Sequence, residues 1–406
     1  MRDFIGFRSH ALAFAVALSP ALFQTAYSCE RGDTYLLSLQ FEVGGQDLVQ
    51  GFNITKRSGY GVVTSSSTAT LTVATRFADS TANYQWLVGG ASTDAQPIGV
   101  GGGTVTLDVP RGQSELLVSV RAGAPNTAVG FYRVDVNRVD TDSCVGNSTG
   151  DPHLMTFDRL HYDLQTVGEY VLTRSALGGF EIQARTSPWG TSRVASVNIA
   201  FAADVGGDIV SLYLSDPDVF INHQRVSLSD REKVDLPQGG SVERFRSVTE
   251  IVWPTGESAQ IGRHGSYLNL QVVVPKAGGT NLVGLFGSCD DDPANDLWPR
   301  DAAGPLQPPV SFANLVNVFG ESWRLTQGES LFEDVGDTDP SFPDSRVTSA
   351  DLPQAVRDAA ETFCLDQGVL DPILLEDCIL DYGLTQDPSF VEVCRYLFPP
   401  VMQATV

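Results

Sequence analysis

At 406 residues the chain has room for two or three domains. Its 49 acidic against 26 basic side chains give a net charge of −23, which excludes a nucleic-acid-binding surface of the ordinary basic kind. A hydrophobic content of 42% is enough for packed cores, so composition leaves an acidic globular chain that attracts cations.

Residues 1–28 read as a secretion signal. Arg2 and Arg8 precede the apolar run ALAFAVALSPALF, and Ala26 and Ser28 are small residues at the positions a signal peptidase reads, so the cut is expected after Ser28. No later apolar run approaches the ~18 residues of a membrane span, which points to a secreted, extracellular or cell-surface protein without a transmembrane segment. Cys29 directly follows the expected cut. That leaves a bacterial surface lipoprotein anchored at Cys29 as an alternative, although Ala26 stands where such signals carry Leu. Arg31-Gly32-Asp33 spells an integrin-ligand tripeptide and is read as a charged N-terminal turn.

Behind a signal peptide, Cys29, Cys144, Cys289, Cys364, Cys378 and Cys394 are expected to form disulfides. Cys29 and Cys144 bracket one stretch and are expected to pair. The other four should give one bridge within the tail and one tying the tail to Cys289. Asn53 and Asn147 open glycosylation sequons.

From 29 to 146 the apolar period is two: Leu37, Leu39, Phe41 and Val43 alternate, as do Tyr84, Trp86 and Val88, and Leu116, Val118 and Val120. Turn residues separate these runs, which predicts an antiparallel β-sandwich with Trp86 in its core. TVTLDVPRGQSELLVSV and YRVDVNR resemble the cadherin-like and immunoglobulin-like sandwich modules of surface proteins.

From 147 to 335 a second sandwich is predicted. Phe180, Ile182 and Ala184 alternate, as do Val197, Ile199 and Phe201, and Leu268, Leu270, Val272 and Val274. Within SFANLVNVFGESW, Phe312, Leu315, Val316 and Phe319 share a helical face, with Ser311 as N-cap and Gly320 as stop. Residues 336–350 form a polar linker. Residues 351–406 hold short helices with one cysteine each, starting at Asp371-Pro372 and Asp387-Pro388. The fold class is therefore mainly β: two antiparallel sandwiches and a small disulfide-stapled helical tail.

GLFGSCDDDPANDL, residues 284–297, crowds Asp290, Asp291, Asp292 and Asp296 beside Asn295. Carboxylates this close repel unless water or a cation separates them. Calcium takes six to eight oxygens from carboxylates, amides and carbonyls, and this loop offers no nitrogen or sulfur cluster. An EF-hand is the poorer alternative, because Asn295 falls where its turn needs Gly.

Upstream, Gly150-Asp151-Pro152-His153, Thr156-Phe157-Asp158, Tyr162-Asp163 and Glu169-Tyr170-Val171-Leu172 follow in order. This stretch resembles the opening of a von Willebrand factor type D domain, and GLFGSCDDDPANDL and ESWRLTQGESLF resemble later segments of that family. The resemblance covers roughly 150–335. It implies a calcium ion held by Asp151 together with Asp290, Asp292, Asn295 and Asp296. It also implies an adhesive or structural extracellular module whose partners are other extracellular or surface proteins or matrix. Val283 and Phe286 stand where many members have cysteines, Asp291 replaces a Gly, and the family's covalent multimers are not expected here.

Some members of that family cut their own chain between Asp and Pro, which makes self-cleavage at Asp151-Pro152, assisted by His153, a further alternative. The chain carries no G-x-S-x-G, H-E-x-x-H or P-loop and is not read as an enzyme. Its histidines show no metal-ligand spacing, and His161 is read as a structural core residue.

Overall fold

The computed structural model describes residues 34–49, 52–58, 60–88, 91–123, 128–139, 142–279, 281–326, 328–394 and 402–403. The expected signal, Cys29, Arg31-Gly32-Asp33 and the side chain of Cys394 lie outside the described residues.

The alternating runs of the first unit become two facing sheets. One orders Gln46–Asp47, Leu36–Val43, Thr68–Thr75 and Gly102–Asp108; the other orders Tyr60–Thr64, Val129–Arg138, Gly112–Arg121, Thr81–Val88 and Ala91–Ser92. All pairs run antiparallel except Tyr60–Thr64 with Val129–Arg138. The inward residues Phe41, Leu71, Trp86, Val118 and Tyr132 are buried together, with Trp86 in the core as its sequence position predicts.

The second unit begins at Ser143, four residues ahead of the expected boundary, because strand Ser143–Thr149 pairs with Leu268–Pro275 in its larger sheet. That sheet runs Lys233–Asp235, Ser241–Phe245, Val248–Val252, Ser258–Arg263, Leu268–Pro275, Ser143–Thr149, His153–Met155, Leu160–Asp163 and Met402–Gln403. The opposing sheet contains Asp208–Tyr213, Ser196–Val205, Phe180–Pro188, Gly168–Ser175 and Leu282–Val283. Between them lies one large core that includes Phe157, Tyr170, Phe201, Trp253 and Phe286. The run Val197, Ile199, Phe201 does not share a face. Ala200 and Asn198 pair with the adjacent residues Arg185 and Thr186, which makes Ile199 a bulge. Past it, Val197 joins Tyr267 and Phe390 in a separate cluster. One extra residue flips the side-chain alternation.

The 311–320 helix forms with Ser311 as its cap, its Oγ accepting from the Asn314 amide at 3.1 Å. It widens into π-type turns over Leu315–Gly320, and Leu315, Val316 and Phe319 are buried.

Two expectations about cysteines change. Cys144 bonds to Cys289, not to Cys29, because strand Ser143–Thr149 runs beside the start of the acidic loop. No bridge therefore links the tail to Cys289, while Cys364–Cys378 staples the tail internally as expected. Asn53 is exposed, but Asn147 is 1% exposed in the middle of the larger sheet. A glycan on Asn147 does not fit the folded domain.

The 336–350 stretch is packed against the second unit. Phe342 is buried, and Arg193 binds Asp339 and Asp344 at 2.6 and 2.7 Å. The tail forms helices Gln354–Asp366, Pro372–Thr385 and Ser389–Cys394. Asp371 caps the second of these, accepting from the Ile373 and Leu374 amides. The tail docks on the second unit through Phe390, stacked on Tyr267 at 4.0 Å and edge-on to Trp189 at 5.3 Å.

Candidate functional site

The hairpin His153–Met155/Leu160–Asp163 organises two carboxylate clusters, one at each end. Its turn is closed by the Arg159 amide donating to the Thr156 carbonyl at 3.0 Å, with Arg159 in the left-handed region at φ 67°. The Phe157 amide donates to the Phe286 carbonyl at 3.0 Å, which fastens the turn to GLFG. Phe286 is fully buried at this junction. It packs edge-on against Phe157, and a Cβ on Gly146 would lie 2.7 Å from its ring.

At the turn end, Asp158 faces the acidic loop. Its carboxylate accepts from the amides of Asp290 at 3.2 Å, Asp291 at 3.0 Å and Asp292 at 3.1 Å. Asp290 Oδ2 accepts from Asn295 Nδ2 at 3.1 Å, and Asn295 Oδ1 accepts from Ser288 Oγ at 3.1 Å. Asp296, 1% exposed, accepts from Thr156 Oγ1 at 2.5 Å and from the Ser288 amide at 3.1 Å. Gly287, at φ 67°, leaves the space that Asp296 occupies, since a Cβ there would sit 2.0 Å from Asp296 Oδ1. Burial pushes the Asp296 carboxyl up to about 8, and burial with the neighbouring Asp290 raises Asp158 to about 6. In the absence of a cation Asp296 holds its proton at neutral pH, whereas Asp158 takes one up only as the pH falls towards 6.

Of the expected ligands, the structure brings Asp290, Asn295 and Asp296 together. Asp292 spends one oxygen capping the Ala294 amide. Asp291 adopts φ 65°, the conformation a Gly takes without strain, and points away to Lys276 at 2.7 Å. Asp151 is not at this loop. The residue that meets the loop is Asp158, seven positions further along the same motif and not among the expected ligands. Asp290, Asn295 and Asp296 open on a cleft of about 480 Å³ also lined by Arg174, Arg300, Trp298 and Trp323.

Asp151 lies in the second cluster, at the other end of the hairpin and beneath the tail. Its Oδ1 is 2.9 Å from His153 Nε2, and its amide faces Asp381 Oδ1 at 3.4 Å. The Pro152 carbonyl accepts from the Leu164 amide at 3.1 Å. A Cβ on Gly150, at φ 64°, would lie 2.3 Å from Asp381 Oδ2, so this glycine lets the tail helix close on the turn. Gly150→Ala is expected to cost about 1–3 kcal/mol and to loosen helix Pro372–Thr385, read as faster proteolysis of the tail at unchanged cleavage elsewhere.

Residues 146–302 match the family profile of the von Willebrand factor type D domain. Over 196 residues the chain is 26% identical to human Sushi domain-containing protein 2, covering 46% of this chain and 24% of that protein. It is 31% identical over 196 residues to chicken SCO-spondin, covering 46% of this chain and 3% of that protein. It is 23% identical over 311 residues to Bombyx mori Protein mesh, covering 66% of this chain and 19% of that protein. The chain thus spans a quarter or less of the length of these relatives.

Proposed function

For a chain whose residues 146–302 form a von Willebrand factor type D domain, we propose a secreted, calcium-stabilised extracellular module that presents an adhesive or structural surface to other extracellular macromolecules. Two disulfides suit an oxidising compartment. No described helix is long and apolar enough to cross a membrane.

The observation that carries the calcium reading is the approach of Asp158 to the 290–296 loop. Asp158, Asp290, Asn295 and Asp296 offer hard oxygen donors from two segments 132 residues apart at their closest contact. The carboxylates keep lone pairs beyond their present hydrogen bonds. Bound there, calcium supplies positive charge that offsets their repulsion and joins the hairpin turn to the loop. Calorimetry tests this. The melting temperature is expected to rise at millimolar calcium and to fall back with a chelator; an unchanged value refutes the reading. The increment should shrink as pH falls from about 8 towards 5, because the raised carboxyls of Asp296 and Asp158 must lose protons for the ion to bind.

One observation favours self-cleavage as a second reading: Gln165 Nε2 donates to the Asp151 carbonyl at 3.1 Å, polarising the bond that would be attacked. Attack by the Asp151 carboxylate on its own carbonyl carbon would form a cyclic anhydride and break the bond to the Pro152 nitrogen. That nitrogen takes a proton, and water then opens the anhydride. Cys144 and Cys289 lie on opposite sides of this bond, so the disulfide would hold the fragments together. A reducing gel and N-terminal sequencing should find Pro152 as a new terminus. Only intact chain under reduction rejects cleavage.

A further inference from the structure

Where the hairpin meets the tail, two histidines and four carboxylates, His153, His161, Asp151, Asp163, Asp377 and Asp381, are packed against one another. His153 Nδ1 lies 2.7 Å from Asp163 Oδ1 and 3.4 Å from Asp377 Oδ1, and His161 Nε2 lies 2.9 Å from Asp377 Oδ2. The two imidazoles are stacked with centroids 6.1 Å apart. One donor atom from each of His153, His161, Asp163 and Asp377 lies within 4.8 Å of every other. From this arrangement we propose a second metal site, for a zinc-class divalent ion, held by His153, His161, Asp163 and Asp377.

The donor set decides the ion. Two imidazole nitrogens and two carboxylates suit zinc, which takes four ligands at about 2.0–2.2 Å. Tetrahedral donors around such an ion stand about 3.4 Å apart, a spacing these four atoms reach by small shifts from their present separations. Calcium, which prefers oxygen, belongs to the other end of the hairpin.

Two features mark this as more than an ion-pair network. The other ring nitrogen of His153 faces Asp151 and Asp381, at 2.9 and 3.2 Å. Metal-bound imidazoles are characteristically oriented by a carboxylate on their second nitrogen. Nor is the cluster closed by its own hydrogen bonds. Among the described residues, the second ring nitrogen of the 2%-exposed His161, Nδ1, has no hydrogen-bond partner, and Asp151 Oδ1, beside the proposed ligands, sits outside hydrogen-bond geometry despite its short distance to His153. Asp163, with 24% of its side chain exposed, gives the ion a route in from solvent. The ligands come from the hairpin and from helix Pro372–Thr385, so the ion would clamp the tail to the domain.

The test uses the full chain purified with a chelator and dialysed into calcium, which fills the other site. Equilibrium dialysis against zinc is expected to give about one tightly held zinc per chain, and cobalt in its place should show the visible bands of a tetrahedral ion. His161→Ala and Asp377→Asn should each remove this uptake, and Asp381→Asn should weaken it about 10–100-fold by releasing His153. Wild-type chain that takes up no zinc, or His161→Ala and Asp377→Asn both binding as wild type, overturns the site. Should those variants fail to fold, the cobalt spectrum of the wild type decides: octahedral or absent bands reject it.

Discussion

Asp158→Asn is expected to abolish the calcium-dependent rise in melting temperature, while Asp151→Asn keeps it. At free calcium a hundred times the dissociation constant, binding to the folded state alone adds about 2.7 kcal/mol, and this is what Asp158→Asn should lose. The substitution also disturbs the metal-free loop, because Asp158 accepts three backbone amides there. The informative quantity is therefore the difference with and without chelator in each variant, not the melting temperature itself. Asp151 belongs to the opposite cluster, so its replacement should shift stability equally in both conditions. A calcium increment retained by Asp158→Asn, or lost by Asp151→Asn, reverses the assignment of the two ends of the hairpin.

That contrast shows where sequence reasoning stopped. Period-two alternation marked both sandwiches, because strands buried on one face must alternate. It also placed Trp86 in the core, while the helical spacing of Phe312, Leu315, Val316 and Phe319 behind Ser311 marked the 311–320 helix. The acidic loop stood out by charge density alone. Which upstream carboxylate meets it was not legible, since Asp151, Asp158 and Asp163 all fall within one short motif. The fold decides. Residues 153–155 climb about 10 Å of strand at ~3.3 Å each, and the turn closed at Thr156–Arg159 then aims Asp158 at the loop, leaving Asp151 behind. The histidine cluster was hidden for a related reason. His153 and His161 sit on neighbouring strands, and Asp377 and Asp381 arrive from a helix 216 and 228 residues further along. No local spacing records such a meeting. The Asn147 sequon failed for the converse reason: its pattern is local, and burial of the central strand is not.

The second large effect is expected at the Cys144–Cys289 bridge. It closes a loop of 145 residues, with Cα atoms 6.0 Å apart, and so encloses most of the type D domain. In the chain-entropy view, opening a loop of that length costs about 5 kcal/mol, against roughly 3 kcal/mol for the short loop closed by Cys364–Cys378. The double replacement Cys144→Ala/Cys289→Ala should therefore lower unfolding free energy by about 4–5 kcal/mol, measured by denaturant titration under conditions of reversible unfolding. Replacing both partners avoids a stray buried thiol. The same variant separates two roles of the bond. Cys289 is packed so closely that a Cβ on Gly279 would lie 2.4 Å from its own Cβ, and it immediately precedes Asp290. If the bridge acts by restricting the unfolded chain, the calcium increment of the variant equals that of the wild type. If it also holds the acidic loop against the hairpin turn, the increment falls with it, because Asp290 then loses its fixed distance from Asp158. Asp158 already grips three successive loop amides, which would hold the loop in place without the sulfur link. The first outcome is the expected one: a less stable domain that still gains its full increment from the ion.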